Sequence, residues 1–368
     1  MSDRATHVDG APMGQATVLV NAARTAAEAG VTIASMTARA ALARRLESNL
    51  PPALPTRLLA SVWSFVSARQ IARPLVLAPG VRAIGVGGAS LGGSCKTPFA
   101  IALVEALAAR GSEVALVGHA YRARPGHARV VHSDDDVAEV GDDALFAARR
   151  LAASQVDVIV GPSRQSAATF AARRARWLVF DGLLQARPER LAASLLLLDG
   201  APPWHHGHCP PAGDRRAPLP ALLRAADATI VVGDATGQGD VVSHLDRARF
   251  ADGSAVPLSE LRGAAVGLVL CIARPHRVVE GLARRGLYPV ATLAFPDHHR
   301  PTPGELARAT ARTTHRIEAW LTTGKCATKL PPVLGGAPVL TLEHALRLSD
   351  RLIDWVASLP SSPRRGPW

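Results

Sequence analysis

Aromatic side chains are scarce: Trp, Tyr and Phe supply 4% of the 368 residues. An aromatic-rich β-sandwich core is therefore excluded, and aliphatic side chains must fill the interior, as in sheets covered by helices. Cysteine is scarce too. Cys95, Cys209, Cys271 and Cys326 are scattered without a CxxC pair, and no charged-apolar-small leader opens the chain; a disulfide framework is excluded and a reducing cytoplasm is expected. No apolar run reaches the roughly 18 residues of a spanning helix, which leaves only a surface contact with a membrane open. Acids are outnumbered, 30 against 42 Lys and Arg, for a formal charge of +12. Such a field attracts phosphates, anionic lipid surfaces or nucleic acid. With no basic block interleaved with aromatics and no zinc-finger or RNP-like pattern, no nucleic-acid partner is expected.

What is present is length and aliphatic content. A chain with 48% apolar and 20% charged residues can build one large or two smaller α/β cores. Residues 1–50 read as an N-terminal helical extension, Ala-rich from Asn21 to Leu50 and closed by Pro51, Pro52 and Pro55. Leu58 to Ala68 is a short apolar run carrying Trp63 and Phe65 between Arg57, Arg69 and Arg73, the composition of an interfacial helix.

From Arg82 onward, strand-like runs alternate with helical patterns at Pro98–Arg110 and Ser163–Arg174, which predicts a parallel sheet covered on both faces. Ala235–Val256 reads as a connection. A second series follows, with helices expected at Pro275–Arg285, Pro303–Leu321 and Glu343–Val356. The expected division is 51–235, an apolar helix plus a P-loop α/β/α domain, and 236–368, a smaller α/β domain with a C-terminal helix.

The segment with most chemical content is Gly85 to Pro98, "GVGGASLGGSCKTP", which follows a strand and opens a helix. A phosphate loop needs small residues so that backbone N–H groups converge on phosphate oxygens, a Lys for charge and a Ser or Thr hydroxyl for magnesium. Gly92, Gly93, Ser94, Cys95, Lys96 and Thr97 fill these positions, with the helix N-terminus adding its dipole. The strict pattern places Gly before the Lys, where this chain has Cys95, and Gly at the position of Ser90; an ordinary Gly-rich βα turn is the alternative. Beside Lys96 at a helix N-terminus, the Cys95 thiolate is expected to be favoured.

A Gly-Gly-x-Gly-Lys-Thr-Pro loop is typical of the tetraacyldisaccharide 4'-kinases, and "GGSCKTP" is similar to it. In the same order, "VGDDALFAARR" resembles that family's Val-Gly-Asp-Glu-Pro segment, "VFDGLLQAR" its Asp-Asp-Gly-Leu-Gln-His-Arg segment, and "GHCPPAGDRRAP" its Leu-Pro-Ala-Gly-Pro-Leu-Arg-Glu loop. "FPDHH" and "LTTGKCATKL" complete the series. The resemblance spans about Leu58 to Leu330 and includes the apolar helix, which in the family touches the inner membrane.

The resemblance implies ATP and Mg2+ as cofactors, with Lys96 and Thr97 on the phosphates and the metal and Asp181 among the magnesium-side carboxylates. Asp142 would take the catalytic position, partnered by His298 or His299. It further implies transfer of the γ-phosphate to the 4'-hydroxyl of a lipid A disaccharide precursor by a monomer peripheral to the cytoplasmic face of the bacterial inner membrane, an anionic surface. An Asp oriented by a His can accept the hydroxyl proton as the phosphoryl group arrives. From the residues alone, Asp142 and Asp143 can equally be helix N-terminal acids, Asp297 a turn cap and Lys325 a solvated lysine.

Departures cluster around phosphate and magnesium. The family's second Asp is Gly182, its Ser-Arg-Gly-Tyr-Gly reads Gly118 to Arg122, its Gln-His reads Gln185-Ala186, and its Thr-Thr-Glu-Lys-Asp reads Thr322 to Cys326. A degenerate member that binds nucleotide or lipid without transfer, and a P-loop enzyme with another substrate, are the rival readings. His205, His206, His208 and Cys209 lie within ligand range of a soft metal, but their spacing matches no standard finger and surface-loop polarity is the default.

Overall fold

The computed structural model describes residues 33–34, 46, 54–70, 73–182, 186–188, 191–199, 208–233 and 241–360. Most of the expected N-terminal helix, the His205–His206 segment and Gln185 lie outside these residues.

The first strand of the core, Arg82–Gly88, buries Ile84 and Val86 completely and alternates them with Gly85 and Gly87. It lies between Trp177–Asp181 and Leu191–Asp199, parallel to both, so it is central rather than marginal. Val114–Val117 and Asp157–Val160 extend the sheet on one side, Ala228–Gly233 on the other. The Lys96–Ala109 helix returns across it and buries Phe99, Ile101, Leu103, Val104 and Leu107. Pro98 is tolerated in its first turn, where no intrahelical N–H bond is required. Gly111, at φ +78°, closes it by donating to Ala108 O.

Apolar clusters fill both faces of this half. One includes Phe99, Leu103, Leu145 and Leu195; the other Ala115, Ala167, Leu178 and Phe180. The α/β expectation of a sheet covered on both sides is met.

The sheet continues into the second half of the chain. Val232 and Gly233 pair with Val241 and Val242, and the Val241–Arg249 strand then runs antiparallel to Ala337–Leu348. Ala319–Thr323, Val266–Leu270 and Ala291–Ala294 follow in parallel order, with Ile33–Ala34 at the far edge. Clusters around Leu268, Leu282 and Leu340, and around Val269, Leu293 and Trp320, cover its two faces.

Four sequence expectations are corrected here. Residues 343–348 belong to the Ala337–Leu348 strand, because residues 344–348 pair with Val241–Leu245, and the helix begins only at Asp350, capped by Ser349. The Pro303 helix ends at Thr310, since Trp320 and Leu321 are buried in the Ala319–Thr323 strand. The segment read as a connection contains the Val241–Arg249 strand. Ile33–Ala34, inside the expected N-terminal helix, is a strand pairing with Thr292 and Leu293. The Asp350–Ala357 helix returns to the first half, where Leu352, Ile353 and Val356 join the Phe99 cluster and Asp354 meets Arg110 at 2.8 Å.

Candidate active site

The segment after Gly88 turns over the carboxyl end of the central strand, the usual ligand position in an open α/β sheet. Gly92 and Gly93 adopt φ of +76° and +63°, and a Cβ on Gly93 would come within 2.9 Å of Arg274 Cδ. Cys95 holds the N-cap in the left-handed region, φ 54° and ψ 20°. This loop therefore keeps the conformation that glycine favours without the glycine.

Arg274 grips the loop from the second half of the chain, bonding Leu91 O at 3.2 Å and the buried Asp214 Oδ2 at 2.5 Å. Arg277 bonds Gly93 O at 3.3 Å. Lys96 donates to Ser94 Oγ at 2.8 Å; burial, followed by the nearby Arg216, lowers its pKa to about 8. A cation held this way gains by receiving an anion. The expectation of a favoured Cys95 thiolate is not met, because burial raises its pKa more than Arg277 and Lys96 lower it.

Thr97 Oγ1 donates to Asp181 Oδ2 at 2.5 Å across the two adjacent strand ends. Burial, reinforced by Asp143, pushes the Asp181 carboxyl above its ordinary range despite Thr97, Lys96 and Arg164. Arg164 donates to Asp181 O and Gly182 O, both at 3.1 Å. An acid raised in this way, next to a hydroxyl, offers the hard oxygen donors magnesium takes, so these residues fit the metal.

The second constellation forms where the Asp142–Leu151 helix meets the second half. Gly141, φ +87°, turns the chain so that Asp142 starts the helix and is almost wholly buried. His298 Nδ1 donates to Asp142 Oδ1 at 2.8 Å, and Lys329 Nζ to Oδ2 at 2.6 Å. Burial alone would raise the Asp142 pKa, but the His298 bond, Lys325 and Lys329 together hold it well below the usual carboxylate range. Lys325 Nζ lies 3.2 Å from His298 Nε2 and 3.3 Å from Asp143 Oδ2. Burial opposes its charge, yet Asp143, Asp142 and Asp297 leave its pKa above the ordinary lysine value.

Of the two histidines, His298 is the one that meets Asp142. His299 turns away to Glu305 at 3.2 Å and stacks on Phe295. The difference is local, since His298 sits at φ 58° and its left-handed backbone sends consecutive side chains to separate surfaces. Asp142, Asp143 and His298 converge closely enough to hold a cation, but Lys325 and Lys329 already neutralise this cluster.

One cleft of ≈ 2440 Å³ is lined by the phosphate loop, Asp181, Asp143, His298 and Lys325, with Asp142 behind His298. Sequence reasoning missed Lys329, Arg164 and Arg274, and left Lys325 open as a surface residue. Arg216 was quoted in a motif but given no role; its burial beside Asp181 lowers its pKa. Cys209 is buried, with bonds to Ser64 and Ser67, and no metal-ligand group includes it among the described residues.

A parallel sheet with a glycine-rich loop at its carboxyl edge and an acid on the neighbouring strand defines an α/β protein of the P-loop kinase fold. The chain belongs to the Tetraacyldisaccharide-1-P 4'-kinase family, whose profile matches residues 51–359. It is 35% identical over 312 residues to the tetraacyldisaccharide 4'-kinase of Methylobacterium sp. (strain 4-46), covering 82% of this chain and 92% of that protein. Identity to the tetraacyldisaccharide 4'-kinase of Anaeromyxobacter sp. (strain Fw109-5) is 34% over 299 residues, 74% and 79% of the two chains. LpxK from Aquifex aeolicus, solved in complex with ATP, shares the fold at a TM-score of 0.58 and 20% identity, covering 82% of this chain and 95% of that one.

Proposed function

We propose that this chain transfers the γ-phosphate of ATP to the 4'-hydroxyl of a tetraacyldisaccharide 1-phosphate, the lipid A disaccharide precursor. The observation that carries the reading is a single cleft joining the Lys96–Thr97 phosphate loop to the Asp142–His298 pair.

Lys96 and the loop amides bind the β- and γ-phosphates, and Arg164 and Arg216 add positive charge around Asp181. Thr97 and Asp181 would hold magnesium, which would neutralise phosphate charge. The acceptor hydroxyl loses its proton to the Asp142–His298 unit. Asp142 fixes the imidazole through Nδ1, while Nε2 lies toward Lys325 at the cleft wall.

ATP and the lipid meet between residues 51–235 and 236–368. The Leu54–Gln70 helix exposes Leu58, Leu59, Val62, Trp63, Phe65 and Val66, which supports peripheral attachment to the anionic cytoplasmic face of the inner membrane. Among the described residues no helix is long and apolar enough to cross a membrane. The working unit is a monomer with no nucleic-acid partner.

Loss of transfer activity through Cys95 and Gly182 is not favoured, because Lys96, Thr97, Asp181, Asp142 and His298 all keep their partners. The test is phosphorylation of the tetraacylated disaccharide 1-phosphate with MgATP by wild type and Lys96→Met. Transfer by wild type alone is expected; no product from either would overturn the reading.

A further inference from the structure

Two buried cysteines beneath the cleft are used by no step above. Cys271 follows the Val266–Leu270 strand, Cys326 sits in the Gly324–Ala327 turn, and both are fully enclosed. Donors converge on one of these sulfurs. The Cys271 backbone N–H reaches Cys326 Sγ at 3.1 Å. Thr323 Oγ1, which already accepts from the Cys326 N–H at 3.3 Å, turns its own hydrogen to the same sulfur at 3.1 Å. The Cys271 side chain is in hydrogen-bond contact with it as well.

A neutral thiol is a weak acceptor and would leave the buried Cys271 N–H and Thr323 hydroxyl poorly matched; an anion satisfies both. The charged groups facing the pair agree with this. Lys329 favours the anion at Cys326, while its ammonium group touches Asp142, whose negative charge opposes an anion at Cys271. The chain also links the two directly, because the Lys329 N–H bonds Cys326 O at 2.9 Å.

We propose that Cys326 is a resident thiolate, with Cys271 as its thiol donor, and that it is a positioning residue fixing the turn that carries Lys325 and Lys329 to the Asp142–His298 pair. Burial opposes the charge, but the Cys271 bond, Thr323 and Lys329 outweigh it and hold the Cys326 pKa below the ordinary thiol range; Cys271 is raised in exchange. The ionisation stands independently of the function proposed above, whereas the positioning role rests on it.

The test uses the full chain and two readouts. The first is the ultraviolet absorbance of thiolate in the folded protein at neutral pH. Wild type should carry one thiolate equivalent that Cys326→Ala lacks, and Cys271→Ala should shift that band to higher pH. Identical absorbance of wild type and Cys326→Ala would overturn the proposal, whether or not the protein proves to be a kinase. The second is turnover with saturating MgATP. Cys326→Asp, which keeps an anion, should hold the wild-type rate to within about threefold, while Cys326→Ser, similar in size but neutral, should lose about ten- to a hundredfold in kcat at unchanged KM for ATP. Equal losses in the Asp and Ser variants would show that volume alone matters and would overturn the positioning role.

Discussion

His298 and Asp142, 156 positions apart in the chain, share a 2.8 Å hydrogen bond that ties the helix start in one half to a turn in the other. Asp142→Asn and His298→Ala should each lower kcat by about 10²- to 10⁴-fold with little change in ATP affinity. The double variant should lose no more than the worse single, as expected of a unit. His299→Ala, which breaks contacts with Glu305 and Phe295 but none with Asp142, should stay close to wild type. Steady-state kinetics on the four proteins decides the point, and additive losses of a few fold would make the pair structural.

Lys96 gives a pH dependence of definite sign. Its folded pKa of about 8 lies below its ordinary 10.5, so the folded state binds this proton less tightly than the unfolded one. Stability should therefore rise between about pH 8 and pH 10.5, and the penalty is complete below that window. The side chain is partly exposed, which reduces the penalty to about 1–2 kcal/mol. Lys96→Met should melt at a higher temperature than wild type at pH 7 and at the same temperature near pH 10.5. Anionic nucleotide should restore the proton, so calorimetry at about pH 8.5 in buffers of different ionisation enthalpy should record proton uptake on ATP binding. No buffer dependence would contradict the assignment.

Cys95 carries a left-handed backbone where a phosphate loop ordinarily uses glycine. Such a non-glycine conformation costs of order 1–3 kcal/mol, and the extra freedom of glycine in the unfolded chain offsets about 0.5–1 kcal/mol. Cys95→Gly should then stabilise the protein by about 1 kcal/mol and tighten MgATP binding several-fold. Alkylation of wild-type Cys95 should be slow at neutral pH, since its thiol is the favoured form. Unchanged melting and unchanged ATP affinity would remove Cys95 from the phosphate loop.

The Leu54–Gln70 helix presents Trp63 at 47% exposure and Phe65 at 58%, beside Leu58 and Val62. Replacing Trp63 and Phe65 with Ser should release the protein from anionic vesicles at moderate salt while leaving ATP binding intact. Sedimentation with vesicles containing anionic lipid gives the answer, and equal pelleting of both proteins would reject this surface.

How much of this was legible in the sequence depends on how local its cause is. The strand-to-helix turn carrying small residues, Lys96 and Thr97 was legible, and the structure places these residues between the Arg82–Gly88 strand and the start of the Lys96–Ala109 helix. The choice between His298 and His299 was not legible, because it turns on one positive φ set by the fold around it. Residues 343–348 carry apolar side chains at Ala345, Leu346 and Leu348, a spacing that suits a helix or a strand, and pairing with residues 241–245 decides between them. Lys329 stood within the "LTTGKCATKL" segment without a role; only the buried carboxylate of Asp142 gives it one.

The Asp350–Ala357 helix completes an apolar cluster begun by residues some 250 positions earlier. During synthesis, Phe99, Leu103 and Leu107 cannot be fully enclosed until Leu352, Ile353 and Val356 have left the ribosome. The Lys96–Ala109 helix thus matures late, and the glycine-rich loop before it is framed only once the polypeptide reaches that point. Long-range closure of this kind slows folding and leaves an exposed apolar flank in the nascent protein. A stop codon before residue 350 would therefore damage the packing around Phe99, Leu103 and Leu107, although those residues had long been translated.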